Sequence, residues 1–350
     1  MVKRVAFAVP GDLAALTGGY AYDRRMITEL QRLGWQVDVI GLGDGFPHPD
    51  AATKSAAREK LAAVANDCPI VVDGLAFGAL PEVASGLRER NVMIGLVHHP
   101  LALETGLAPA DAAALRKSEY DALAAARAVV VTSASTGQLL IDDYDVPPEI
   151  ITTARPGTDR GEPAKGSSDG IVRLLAVGSV VPRKGYDVLI AALASLAGLP
   201  WRLTIAGDRS RDEAAAAQLD ADIASHKLAG RIDVLGALPA DRLGALYTGA
   251  DVFVLASRFE GYGMAFAEAL AHGLPVIGTT AGAIPDTVPP DAGVLTEPND
   301  VKALTRALRM LIENPKERQW FAAGARKAGD ALPGWAEQAK VFAGAIEALA

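Results

Sequence analysis

Short, largely apolar runs, each followed by a helical stretch, recur from one end of this chain to the other. Val5–Val9, Trp35–Ile40, Ile70–Val72, Val92–Val97 and Ala128–Thr132 are such runs, with helical stretches such as Gly18–Leu33 and Asp111–Ala126 between them. A strand apolar on both faces needs cover on both faces, and the intervening helices supply it. The pattern therefore predicts a parallel sheet in a doubly wound α/β domain. At Ala154–Gly170 the rhythm stops in a stretch rich in Gly, Pro and Ser, and it restarts with Val172–Val177, Leu203–Ala206, Ile232–Leu235, Val252–Leu255, Pro275–Gly278 and Gly293–Leu295. The reading is two such domains in tandem, 1–160 and 171–330, with 161–170 as the linker. Asp300–Glu313, Pro315–Asp330 and Trp335–Leu349 close the chain as helices, and a return of 334–350 to the first domain is left open. A length of 350 residues suits two cores better than one.

Composition removes several classes. Lys and Arg total 34 against 42 Asp and Glu, for a net charge of -8. Such a chain is a poor grip for nucleic acid, which needs basic surface against phosphate. Cys68 is the single cysteine, so no disulfide framework or cysteine zinc site exists within one chain, and it reads as a small core residue. No apolar run reaches the roughly 18–20 residues that span a bilayer. Met1-Val2-Lys3-Arg4 runs straight into the first strand, which does not read as a signal peptide. The expectation is a cytoplasmic protein, with peripheral attachment to the inner membrane face left open. Trp35, Trp201, Trp320 and Trp335 are scattered and read as packing.

In open α/β sheets ligands bind beyond the carboxyl ends of the strands, so the residues just after strands carry the functional expectation. The densest set follows Val252–Leu255: Ser257-Arg258-Phe259-Glu260-Gly261-Tyr262-Gly263-Met264, then a helix carrying Glu268, then Gly273-Leu274-Pro275. Gly261 and Gly263 permit a tight, open backbone, and the free N–H groups of the helix start suit electronegative ligand oxygens. A carboxylate accepts two hydroxyl hydrogen bonds at once, as a ribose diol presents them, which suits Glu268; Glu260 would lie nearer a transferred sugar. A second element, Val177-Gly178-Ser179-Val180-Val181-Pro182-Arg183-Lys184-Gly185, ends a strand with two cations suited to phosphate. After the first strand, Thr17-Gly18-Gly19-Tyr20 allows close backbone approach to a ligand, and His98 of Val97-His98-His99-Pro100 stands at a strand end. No third ligating group at metal spacing is visible near the paired histidines. Asp143-Tyr144-Asp145 reads as a solvated turn.

Glu260 and Glu268, eight residues apart around Gly261 and Gly263, resemble the E-x7-E signature of the family 4 retaining glycosyltransferases. Ala281-Gly282-Ala283-Ile284-Pro285-Asp286 resembles that family's second glycine-rich donor loop. The resemblance covers nearly the whole chain and is most specific from about 172 to 300. It implies the GT-B fold, two Rossmann-like domains facing across a cleft, and transfer of a hexose-type sugar from a UDP- or GDP-sugar with retention and without metal or cofactor. The implied donor-binding residues are Gly19, Arg183, Lys184, Glu260, Gly261, Tyr262, Gly263, Met264 and Glu268; His98, Glu260 and Lys184 carry the catalytic expectation. Ser179 departs from the pattern, since the family holds an Arg there, and Arg183 is the candidate replacement. The acceptor (a small molecule, a polysaccharide intermediate or a lipid) is unread. The alternative on the same fold is a nucleotide-sugar 2-epimerase. An oxidoreductase fits worse, because no G-x-G-x-x-G follows the first strand.

Overall fold

The computed structural model describes residues 3–349. Positions 1, 2 and 350, at the outer ends of the expected 1–160 domain and 334–350 helix, lie outside the described residues. The chain divides into two compact units, Met1–Gly157 with Pro333–Ala350, and Thr158–Leu332.

The first unit holds β1 (Arg4–Val9), β2 (Gln36–Gly41), β3 (Ile70–Asp73), β4 (Met93–Val97), β5 (Ala128–Val131) and β6 (Ile151–Thr153), in spatial order β2-β1-β3-β4-β5-β6. Every pairing is parallel. The interior strands β3, β4 and β5 are buried at every position, as unbroken apolar runs require. β2 differs from its reading as an apolar strand: it lies on the sheet edge, and Val39 is 47% exposed. β6 gave no signal in the sequence, being three half-buried residues paired on one side only. The closing helix Trp335–Glu347 belongs to this unit. Phe342 is fully buried and its ring stacks on Phe7 at 6.2 Å, while Gln338 Oε1 accepts from the Arg155 amide at 2.8 Å.

The second unit holds β7 (Val172–Val177), β8 (Trp201–Ala206), β9 (Ile232–Val234), β10 (Val252–Val254), β11 (Val276–Thr279) and β12 (Gly293–Thr296), ordered β12-β11-β10-β7-β8-β9 and again parallel throughout. Residues 161–170, read as a linker, are instead strapped to this unit. The Ala164 and Lys165 amides donate to the carbonyls of His272 and Thr248, each at 2.8 Å, and the Ser167 amide donates to Asp251 Oδ1 at 3.0 Å. A backbone with no ladder of its own still needs partners when it lies against a core, and the unit's surface supplies them. Trp320, read as packing, is 56% exposed and stands edge-on to Phe321 on the helix Pro315–Asp330.

These strand orders position the functional residues. In the first unit the order reverses between β1 and β3, and in the second between β7 and β10. Helices leave such a pair on opposite faces, which opens a crevice at the carboxyl ends.

Candidate active site

At the second unit's reversal point, β7 delivers Lys184 and β10 delivers Glu260. Gly178 follows β7, and a Cβ there would stand 3.1 Å from Lys184 Cε, so the bare backbone leaves room for the lysine stem. Gly185 has φ +65°, and a Cβ on it would fall 2.0 Å from the Ala256 carbonyl oxygen; only glycine turns the chain here into the helix Tyr186–Ala194.

Glu260 is 5% exposed. Its Oε1 accepts from Lys184 Nζ and from Ser257 Oγ, each at 2.6 Å, and Arg183 Nη1 stands 3.3 Å from Oε2. Arg183 also donates to the Phe259 carbonyl at 2.9 Å. Burial pushes the Glu260 carboxyl up, but Lys184 and then Arg183 outweigh it and hold the group below the usual carboxylate range. Two cations face one carboxylate, so the cluster carries a local excess of one positive charge. Thr279 Oγ1 donates to the Ser257 carbonyl at 2.6 Å and fixes the segment from behind. The loop Ala281–Asp286 lies against the glutamate backbone: the Ala283 amide donates to the Glu260 carbonyl at 2.9 Å, and Gly282 has φ +57°.

The turn Gly261–Met264 follows. Gly263, at φ +86°, starts the helix Met264–Ala271, and no side chain caps that start. Its first N–H groups are therefore available to ligand oxygens. Tyr262 is buried and its carbonyl accepts from Thr287 Oγ1 at 3.1 Å; Met264 is half-buried. Glu268 is partnered by a phenol rather than a cation: Tyr247 donates to its Oε2 at 2.8 Å. Burial raises the Glu268 carboxyl, and the Tyr247 hydrogen bond opposes that.

The remaining candidates lie in the first unit, Gly19 after β1 and His98 after β4, on either side of β3. Thr17 caps the helix Gly18–Arg32 through the Tyr20 amide. Gly19 faces His98, and a Cβ on Gly19 would meet His98 Cδ2 at 3.5 Å. The sequence showed no third group beside His98 and His99, and the fold brings two acids to His98 from distant positions. Asp23 and Asp73 stand with it, a side-chain oxygen of each and a ring nitrogen of His98 all lying within 4.8 Å of one another. His99 turns instead toward Glu104, with Nε2 3.6 Å from Oε2. A cavity of about 330 Å³ in the same unit is lined by Pro47, His48, Lys54, Asp111 and Ser118, among others. Asp143 and Asp145 are exposed, and Asp145 closes the helix Ala134–Tyr144 at φ 51°.

The structure thus joins Arg183, Lys184 and Glu260 into one ion cluster, seats Glu268 with Tyr247, and joins Gly19 to His98. Sequence reasoning missed Ser257, Thr279, Tyr247, Asp23 and Asp73. Ser257 and Asp73 stand at strand ends and were open to the strand-end rule. Asp23 and Tyr247 lie within helices and gave no local signal.

Residues 162–328 match the family described as Glycosyl transferases group 1. Among curated relatives, the chain is 28% identical over 315 residues to the MMP alpha-(1->4)-mannosyltransferase of Mycolicibacterium hassiacum, covering 83% of this chain and 73% of that one. It is 32% identical over 168 residues to a GDP-mannose-dependent monoacylated alpha-(1-6)-phosphatidylinositol monomannoside mannosyltransferase of Corynebacterium glutamicum, covering 45% of this chain and 42% of that one. Among solved structures, the sucrose-phosphate synthase of Thermosynechococcus elongatus superposes with a TM-score of 0.83 at 21% identity, covering 99% of each chain. The fold is GT-B. Residues 162–328 are thus similar to the glycosyl transferases of group 1, and the relatives support a hexosyl-transferring enzyme.

Proposed function

We propose that the chain moves a hexose-type sugar from a nucleoside-diphosphate sugar, UDP- or GDP-linked, to an acceptor hydroxyl with retention of configuration and without metal or cofactor. The observation that carries the reading is the Arg183–Lys184–Glu260 cluster at the β7/β10 reversal point, beside the uncapped start of the helix Met264–Ala271. Its excess positive charge and free N–H groups suit a diphosphate, which gains charge as it leaves. Lys184 is the principal phosphate-binding cation, and Arg183 supplies the charge that Ser179 does not. Ionised Glu260 holds both cations in place before the donor arrives and contacts the transferred sugar. Glu268, aligned by Tyr247, takes the ribose hydroxyls. Gly19 and His98 contribute from the first unit, His98 as a contact to the donor sugar. Retention follows from attack on the face that the diphosphate leaves, with the departing diphosphate taking the acceptor proton. The mannosyltransferase names of both relatives support a hexose, and the second relative's name supports a GDP-linked donor.

The cavity lined by His48, Lys54, Asp111 and Ser118 offers both charge signs and a hydroxyl, which supports a polar acceptor on the first unit. Among the described residues no helix is long and apolar enough to cross a membrane. We place the enzyme in the cytoplasm.

The test is a panel of UDP- and GDP-sugars screened by thermal shift. Transfer and donor binding are then measured with a chelator present for the native chain and for Lys184→Ala and Glu268→Ala. Transfer that survives chelation and falls in both variants is expected. Undiminished transfer with unchanged donor binding in both variants removes the assignment.

A further inference from the structure

His98 Nε2 is buried and stands 3.3 Å from Asp23 Oδ1 and 3.2 Å from Asp73 Oδ2. The two acids reach it from different elements. Asp23 comes from the helix after β1 and Asp73 from the last position of β3. Both are almost wholly enclosed, at 0% and 3% exposure. Asp73 Oδ1 is occupied by the Leu75 amide at 2.8 Å, which leaves Oδ2 for the histidine. Gly74 makes the approach possible, because a Cβ there would stand 2.8 Å from the Leu96 carbonyl oxygen of β4. Tyr22 closes one side, its ring edge-on to His98 at 5.3 Å and its hydroxyl committed to the Ala154 carbonyl. Gly19 closes another. Among the described residues, His98 is the one basic side chain within ion-pair distance of either acid.

Where both acids are ionised, a lone pair on Nε2 would face two carboxylate oxygens, so that nitrogen must carry its proton. Two enclosed acids also need a cation, since charge without a partner is costly away from water. We propose that Asp23 and Asp73 are positioning residues that hold His98 as an imidazolium, with Nε2–H shared between them and Nδ1–H kept as a hydrogen-bond donor. A neutral ring protonated at Nε2 would offer Nδ1 only as an acceptor. The enclosed acids therefore decide what His98 binds: an acceptor oxygen, either a sugar hydroxyl oxygen or a phosphoryl oxygen of the donor, to which it also brings positive charge. The His98 side chain keeps 19% of its surface, and the buried Nε2 contributes almost none of it, so the exposed part lies elsewhere on the side chain.

The titration tendencies agree. Burial by itself would lower His98, but the nearby carboxylates of Asp23 and Asp73 outweigh it and raise the ring to about 10. Burial and the neighbouring charge of Asp73 push Asp23 up to about 7. Both shifts describe protons drawn into one shared site.

The protonation claim is independent of transfer; its use in donor binding rests on the function proposed above. The test is NMR of the full chain carrying 15N-labelled histidine, without ligand, from pH 5.5 to 9. There are five histidines, so the spectrum of His98→Gln assigns the resonance. The expected result is a ring protonated on both nitrogens at pH 8. In Asp73→Asn and Asp23→Asn the ring should titrate about tenfold or more nearer to the ordinary value of about 6.5. In those variants kcat/KM should fall above pH ~7, where native activity stays level. A native His98 that is neutral at pH 8 overturns the proposal. So does a stoichiometric divalent ion that copurifies, is released by chelator and leaves Nε2 without a proton. A doubly protonated His98 together with unimpaired transfer by His98→Gln would uphold the imidazolium and remove His98 from the donor site.

Discussion

Replacing Lys184 by Met tests how the ion cluster is held together. The substitution keeps the unbranched stem and removes a cation 2.6 Å from a carboxylate that is 5% exposed. Removing one partner of a buried pair costs about 3–5 kcal/mol, because it strands a charge. Here the Arg183 contact at 3.3 Å and the Ser257 hydrogen bond at 2.6 Å remain and offset part of that cost, so a loss somewhat below that range, about 2–3 kcal/mol at pH 7, is expected. For a unit of this size each kcal/mol moves the transition by about 2–4 °C. The sign of the pH dependence should also change. In the native protein the folded Glu260 carboxyl lies below its ordinary 4.5, so its contribution is present at neutral pH and is lost as pH falls through the folded value. Without Lys184, burial raises the carboxyl, and the folded state takes up a proton as pH falls from 7 to 5. The deficit should therefore shrink on acidification. The assay is urea or thermal unfolding of both proteins at pH 7 and 5, followed through the second unit's transition. A deficit under about 0.5 kcal/mol, or one that grows toward pH 5, would refute the claim that Lys184 keeps a buried Glu260 ionised.

Three further outcomes follow from the same geometry. Tyr247→Phe removes the hydroxyl that aligns Glu268 and should raise the donor KM more than it lowers kcat, at a stability cost of about 1–2 kcal/mol; equal donor KM values would detach Glu268 from donor binding. Gly282→Ala places a Cβ 2.2 Å from the Glu260 carbonyl at φ +57°, so unfolding should show a loss of about 1–3 kcal/mol, together with weaker donor binding. Ser179→Arg restores a guanidinium at the strand end and should tighten nucleoside-diphosphate binding by about 1.5–3 kcal/mol at low salt, less at high salt; calorimetry showing no gain would mean that Arg183 already fills the role.

The residues themselves determined much of this protein. Unbroken apolar runs broken by helices fixed two parallel-sheet units, since a strand buried on both faces leaves few other arrangements. The Glu260–Glu268 string and the Arg183-Lys184 pair marked the second unit's candidate site, because strand-end glycines, acids and cations leave a local pattern. Tertiary structure decided the rest. Strand order is not written in periodicity, so only the fold shows that Lys184 and Glu260 meet at a reversal point, or that 161–170 lies on the second unit. The same holds for the helix Trp335–Glu347, which joins the first unit by placing Phe342 on Phe7. Asp23 gave no signal because its chemistry depends on Asp73 and His98, and those three positions come together only when separate elements pack against one another.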